Sequence, residues 1–441
     1  MANFSYSTTI MSQSKNDAAW EKLFQAHNII ERVNSDGIYE ISAVSINKQR
    51  EARLMTKFDH HIQLPTLFKQ NNFTIQPNSR GTYLIGRFAS YQSIVDDEAS
   101  EIEEVPFPTH IETINPENIY SESAALLCAY NAGIISRLLE EEVSLTVLGR
   151  MSTGRFSYFI NDIRHDTPYE IKVNNSQLEI DSGFEGQRAF ALVEAKNESV
   201  QDFLVRQLYY PYRLWKSRTT KTVIPIFMSF SNDVFSFYVF RFGQENNYNS
   251  IELVSRKKYR IGASEIELSH IVGVLERALI VPEPERIPFP QADSFNRIVD
   301  LLTQLHGSGI LSPDDITTNY AFDFRQTHYY TRAGMYLGLI ERQQSREHGI
   351  SYTLTPRGSN IMSKKPQTRS LAFVECILEH EVFNKTLRLY LNQAERPASE
   401  QVVEIMNEAQ LGLDQDGSTT IRRRAGTVLS WIDWIMTLTR R

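Results

Sequence analysis

The chain has 441 residues, 41% hydrophobic and 11% aromatic, which suffices for several buried cores at roughly 150 residues per domain, and its net charge is -7. No apolar run reaches the ~20 residues of a membrane span, the opening Met1-Ala2-Asn3-Phe4-Ser5 lacks the regions of a signal peptide, and two cysteines, Cys128 and Cys376, exclude a disulfide framework or a cysteine-based zinc site. A reducing cytoplasm is the expected compartment, and the acidic balance argues mildly against a nucleic-acid partner without excluding one, because local charge sets the binding field.

Residues 1–95 are expected to form an α+β unit, with a short helix over 20–28 and strand-like runs at 37–41 and 81–86. Its basic residues Arg50, Arg53, Lys57, Arg80 and Arg87 offer contacts to phosphates, although a solvated face explains each more simply. Asp59-His60-His61 has metal-binding residue types without the spacing, since adjacent histidines point apart on any regular element. An acidic, proline-punctuated stretch follows, from Asp96-Asp97-Glu98 to Pro106 and Pro108, and reads as a linker over 96–118.

Residues 119–280 read as α/β. A helix over 121–139 shows a 3.6-residue apolar period, with Glu122 in its first turn. Strands over 143–148 and 155–160 follow, joined at a tight turn through Ser152-Thr153-Gly154. Next come two strands of a hairpin, 177–181 ending in Asp181 and 189–196 ending in Glu194-Ala195-Lys196. A helix beginning near Glu198 carries Gln207 within its packed row of Val200, Phe203, Leu204, Leu208 and Pro211, and the apolar strands 223–230 and 234–240 complete the unit. This order predicts a mixed β-sheet flanked by helices.

Side chains alternate along a strand, so Glu194 and Lys196 share one face, and Asp181 on the neighbouring strand brings a second acid towards them. Two carboxylates and a backbone carbonyl are enough for Mg²⁺, which keeps several waters; Asp181, Glu194 and the carbonyl of Ala195 are the expected ligands. Lys196 would orient or deprotonate the attacking water and offset charge on the phosphate. Glu170-Ile171-Lys172, with Asp162 and Asp166 upstream, is a rival triplet, less favoured because it does not close a buried apolar strand.

These residues resemble the nuclease superfamily named for its PD-(D/E)XK motif, which includes most type II restriction endonucleases. The match covers roughly residues 120–242. Ile180-Asp181 stands where the Pro-Asp pair stands, Glu194-Ala195-Lys196 fills the second half, and Glu122 and Gln207 resemble the acid on the preceding helix and the glutamine on the following one. Ile180 in place of proline is the departure, and Glu185 is a second candidate acid. The resemblance implies metal-dependent hydrolysis of DNA by one or two Mg²⁺ ions, with Asp181, Glu194, Lys196, Gln207 and Glu122 in the catalytic set.

The segment 281–292, with four prolines in the nine residues from Pro282 to Pro290, forbids helix or central strand and reads as a second linker. Residues 293–365 predict a winged-helix unit: helices over 293–306, from the capping Ser312 and Pro313, and over 323–340, then a β wing over 349–358. Arg325, Gln326, His328, Arg332 and Arg357 are the expected DNA contacts there. Residues 366–441 predict a second helix-turn-helix-like unit, with a buried stripe of Ile421, Ala425, Val428, Ile432 and Ile435 and phosphate-gripping Arg422, Arg423 and Arg424.

The expectation is therefore a Mg-dependent, sequence-specific endonuclease of restriction type acting on double-stranded DNA, with no membrane association and a homodimer, permanent or formed on DNA, to cut both strands. A structure-specific or repair nuclease with the same core is the nearest alternative. A winged-helix DNA-binding regulator with structural acids is the alternative from another class.

Overall fold

The structure, a computed structural model, describes residues 14–95, 101–262, 266–345, 349–409, 411 and 418–439. Its centre is a seven-stranded mixed sheet. The strands are β1 (Ile102–Val105), β2 (Ser144–Ser152), β3 (Gln177–Glu185), β4 (Ala189–Lys196), β5 (Thr222–Ser231), β6 (Val234–Phe242) and β7 (Ile251–Ile261). They lie in the order β1-β7-β6-β5-β4-β3-β2. Every residue of β4 is buried, as a near-continuous apolar run demands of a strand covered on both faces. It runs parallel to β5 and antiparallel to β3.

Helices α1 (Glu122–Asn131) and α2 (Ile134–Leu139) close one face, packing Ala125, Cys128 and Ile134 into the cluster that holds Val193, Ala195 and Met228. Helix α3 (Arg206–Lys216) closes the other, with Leu208, Tyr212 and Leu214 clustered with Phe190, Leu192 and Phe227. The sheet unit is thus α/β, with mixed strands and helices on both sides.

Several expected elements differ in detail. The helix expected over 121–139 is two, because Gly133 adopts φ +74° and ends the first. Gly154, at φ +72°, does turn the chain after β2, but the next strand (Arg155–Ile160) pairs with Tyr169–Asn174 in a separate ribbon instead of with β2. Between Lys196 and α3 the chain forms a short strand, Asp202–Leu204, paired with Tyr91–Ser93, so the helix starts later than expected. Of the linker expected over 96–118, residues 96–100 lie outside the described residues, and Ile102–Val105 is β1, an edge strand parallel to β7.

The N-terminal unit packs helices Lys15–His27 and Ile29–Asp36 against a three-stranded sheet, around edge-to-face contacts among Trp20, Phe24 and Phe68. The C-terminal part begins with α4 (Phe295–Ser308), α5 (Pro313–Asn319) and α6 (Phe324–Tyr336). Ile310–Leu311, Ile340–Ser345 and Gly349–Leu354 form its small sheet, the last strand in the middle. Ser312 caps α5 by accepting from the Asp315 amide at 3.1 Å, with Pro313 in the first turn, as the sequence predicts.

The stripe on the last helix, Ser418–Thr437, is buried at Ala425, Val428, Ile432 and Ile435. These residues share one core with Ile298, Leu302, Tyr330 and Ile361, so packing runs unbroken across the expected division at 365/366. The proline-rich stretch is irregular, as its prolines require, but it is not a free linker: Phe289 is buried and stacks on Phe383, and Trp431 Nε1 donates to the Ala292 carbonyl at 2.7 Å.

Candidate active site

Strands β3 and β4 pair only from Phe190 opposite Glu185 to Val193 opposite Ser182. Beyond that point β3 continues with β2 while β4 continues with β5, and the sheet opens between them. The first hairpin strand therefore runs through Asp181 to Glu185 instead of ending at Asp181, and Asp181 sits at the mouth of the fork. The backbone amide of Ala195, left without a strand partner on that side, donates to Asp181 Oδ2 at 2.8 Å. Because a strand residue turns its N–H and C=O to the same neighbour, the Ala195 carbonyl also faces the fork.

Glu194 and Lys196 leave β4 on one face, both under one-tenth exposed. Lys196 Nζ donates to Glu194 Oε1 at 2.6 Å, and Gln207, in the first turn of α3, donates to the same oxygen through Nε2. Glu122, the first residue of α1, places Oε1 3.9 Å from Lys196 Nζ. The five side chains singled out by the sequence thus converge on the C-terminal ends of the parallel pair β4 and β5. Gln207 Oε1 is buried with no hydrogen-bond partner among the described residues.

One acid of the cluster was missed. Asp59, from the N-terminal unit, lies 3.9 Å from Lys196 Nζ and 3.8 Å from Lys57 Nζ. No periodicity or spacing in the sequence links it to β4. His60 packs its Nδ1 2.6 Å from the Asp202 carbonyl, and His61 donates its backbone amide to the Asp202 carboxylate at 3.1 Å.

The electrostatics follow from burial and crowding. Burial, then Asp181, push the Glu194 carboxyl up to about 8 against the pull of Lys196. Burial also raises Asp181 and Glu122 above the ordinary carboxylate range. Burial alone would lower Lys196, but Glu194, Glu122, Asp59 and Asp181 together hold it well above the usual lysine value, so it is an ammonium. Of the two roles expected for it, this favours orientation and charge compensation over proton abstraction. Among the described residues no three His, Cys, Asp or Glu side chains form a ready-made metal cage.

Three family models match the chain, each of a domain of unknown function. They are DUF6996 over residues 17–85, DUF6997 over 86–260 and DUF7226 over 297–440. The second holds the fork and all its residues except Asp59, which falls in the first. No curated protein and no solved structure matches.

The rival acids are elsewhere. Glu170 and Lys172 point to solvent from the separate ribbon, and Asp162 accepts from Tyr169 and the amides of Arg164 and His165. Glu185 pairs with Lys221 at 2.6 Å at the closed end of the hairpin.

The expected DNA contacts divide. Arg325 and Arg332 are exposed on α6, and Arg422 and Arg423 on the last helix, the latter over the Tyr329 ring. His328, half-buried and edge-on to Phe324, is held low by burial. Three residues are engaged within the protein. Gln326 caps α6 with Asp323 and accepts from Arg297; Arg357 makes a two-pronged pair with Glu379 at 2.7 and 2.8 Å; Arg424 donates to the Phe289 carbonyl at 2.7 Å. In the N-terminal unit Arg50 pairs with Asp314 of α5 and Arg87 is buried against Asn34, which removes both as free cations.

Proposed function

We propose that the chain is a divalent-metal-dependent endonuclease that hydrolyses phosphodiester bonds of double-stranded DNA, of the restriction type with a PD-(D/E)XK-like core. The observation that carries this reading is the fork: Asp181 reaches across it to the backbone of Ala195, beside Glu194 and a lysine whose charge the surrounding acids maintain. Asp181, Glu194 and the Ala195 carbonyl make a hard-oxygen donor set suited to Mg²⁺. The raised carboxyls of Glu194 and Asp181 fit it too, since burial without a cation penalises their charge. The ion, when bound, would neutralise phosphate charge and acidify a water.

The protein's own groups supply the rest. The Lys196 ammonium, fixed by Glu194, stabilises charge building on the phosphate in a site largely closed to water. Gln207 donates to the same Glu194 oxygen as Lys196 and keeps its own carbonyl free to accept from a water. Three helices followed by an antiparallel ribbon, in the order α4, short strand, α5, α6, two strands, fit a winged-helix unit, with α6 as the helix that would enter the major groove and present Arg325 and Arg332. Cleavage of both strands calls for two sites, hence a dimer.

Supercoiled plasmid and genomic DNA incubated with the protein and Mg²⁺, beside Asp181→Ala and Lys196→Ala, test the reading. Discrete fragments from the native chain, none with EDTA and none from the folded variants, are expected. Equal cleavage by all three refutes the site; cutting confined to junctions or flaps moves the substrate to the repair class; binding of DNA that stays intact in Mg²⁺ leaves a regulator.

A further inference from the structure

The N-terminal unit lies outside the match that contains the fork, yet it sends one carboxylate into the cluster. Asp59 is held there by backbone, not by chance of rotamer. Its carbonyl accepts from the Leu204 amide at 2.9 Å, Tyr91 donates to the preceding Phe58 carbonyl at 2.8 Å, and the following His60 is buried against Asp202. Asp202–Leu204 leads directly into α3, so the segment that carries Asp59 is tied through backbone to the helix that carries Gln207. The Asp59 side chain is 13% exposed, against 45% for Glu122 at the same distance from Lys196. Both carboxylates attract the ammonium, and of the two Asp59 is the one screened from solvent.

We propose that Asp59 is a positioning residue for Lys196, and that the active site is therefore composite, complete only when the N-terminal unit is docked on the sheet. The inference rests on the nuclease reading. Under that reading Glu194 is committed to a cation and shares its charge, while Asp59 is not a ligand and remains the enclosed counter-charge that keeps the ammonium in place. Lys57, exposed and paired with Asp59, sits on the outer side of the same carboxylate. Asp59 thus stands between a surface cation and the buried one.

The experiment combines kinetics with a double-mutant cycle on the full-length chain. Asp59→Asn, close in shape but uncharged, should bind a short duplex in Ca²⁺ as the native protein does and lower kcat on plasmid with Mg²⁺ by about 10-fold or more at unchanged KM. Asp59→Glu should recover part of the loss. The cycle with Lys196→Met is read by thermal unfolding in EDTA, with no activity required. Asp59→Asn should lower the melting temperature of the native chain but raise that of Lys196→Met, where it removes one of several crowded acids that have lost their shared ammonium. Native-rate cleavage by Asp59→Asn, or the same melting shift in both backgrounds, overturns the inference and leaves the nuclease reading standing. Failure of the native chain to cut any nucleic acid overturns that reading and the kinetic role with it, whatever the cycle gives.

Discussion

Replacing Glu194 by glutamine should stabilise the metal-free protein while abolishing its activity. Burial and Asp181 push this carboxyl up to about 8 in the folded chain, against an ordinary value of 4.5. Between those values the folded state keeps a proton that the unfolded state has released, so stability falls as pH rises through the window. At pH 7 roughly two and a half pH units separate the states, at about 1.4 kcal/mol each, which gives about 3 kcal/mol of destabilisation; above pH 8 it levels near about 5 kcal/mol. Glutamine cannot titrate, and its amide oxygen can still accept from Lys196. In EDTA, calorimetric unfolding of the native chain should weaken from pH 5 to pH 8 while Glu194→Gln stays flatter over the same range. Mg²⁺ should restore only the native chain, and cleavage by the variant should be lost. Parallel stability curves for the two proteins, or a variant less stable at every pH, would refute the reasoning.

A second titration lies at the junction with the C-terminal part. Asp300 of α4, pushed up to about 7 by burial, accepts from the Ser199 amide and the Ser231 hydroxyl, both at 2.8 Å. Between its ordinary value of 3.8 and about 7 the folded chain keeps a proton that the unfolded chain has released, so the unfolding free energy should fall more steeply with pH across that window in the native chain than in Asp300→Asn. Removing the exposed Arg325 and Arg332 together should weaken duplex binding and reduce the salt slope of log K by about 2, with an unchanged melting temperature; an unchanged slope would argue against α6 as the groove helix. Trp431→Ala removes a fully buried ring and its bond to Ala292, and should cost about 3–5 kcal/mol in urea unfolding of the C-terminal part.

Much of the fork was legible because its signals are local. Alternation put Glu194 and Lys196 on one face, an apolar run marked β4 as interior, and helix signals flanked it with Glu122 and Gln207. The register was not legible, because the point at which pairing stops, Val193, depends on how β3 also pairs with β2, a strand distant in sequence with register shifts near Val147 and Gly149. Asp59 was not legible because its proximity is a property of packing between units. The engagement of Gln326 had a signal available: an aspartate followed three residues later by glutamine at a helix start is a capping box. The pairing of Arg357 with Glu379 had none, since the partners meet only when two helices pack.

The middle residue of the Glu-x-Lys triplet takes no part in the chemistry through its side chain, yet it is not a free position. Ala195 is fully buried on the side of the sheet covered by α1, in the cluster that contains Ala125 and Cys128. A larger residue there would push against the helix whose first residue is Glu122, and so would alter the acid cluster from behind. A position with no catalytic atom of its own thus limits what the site can tolerate, through the room left for its one methyl group.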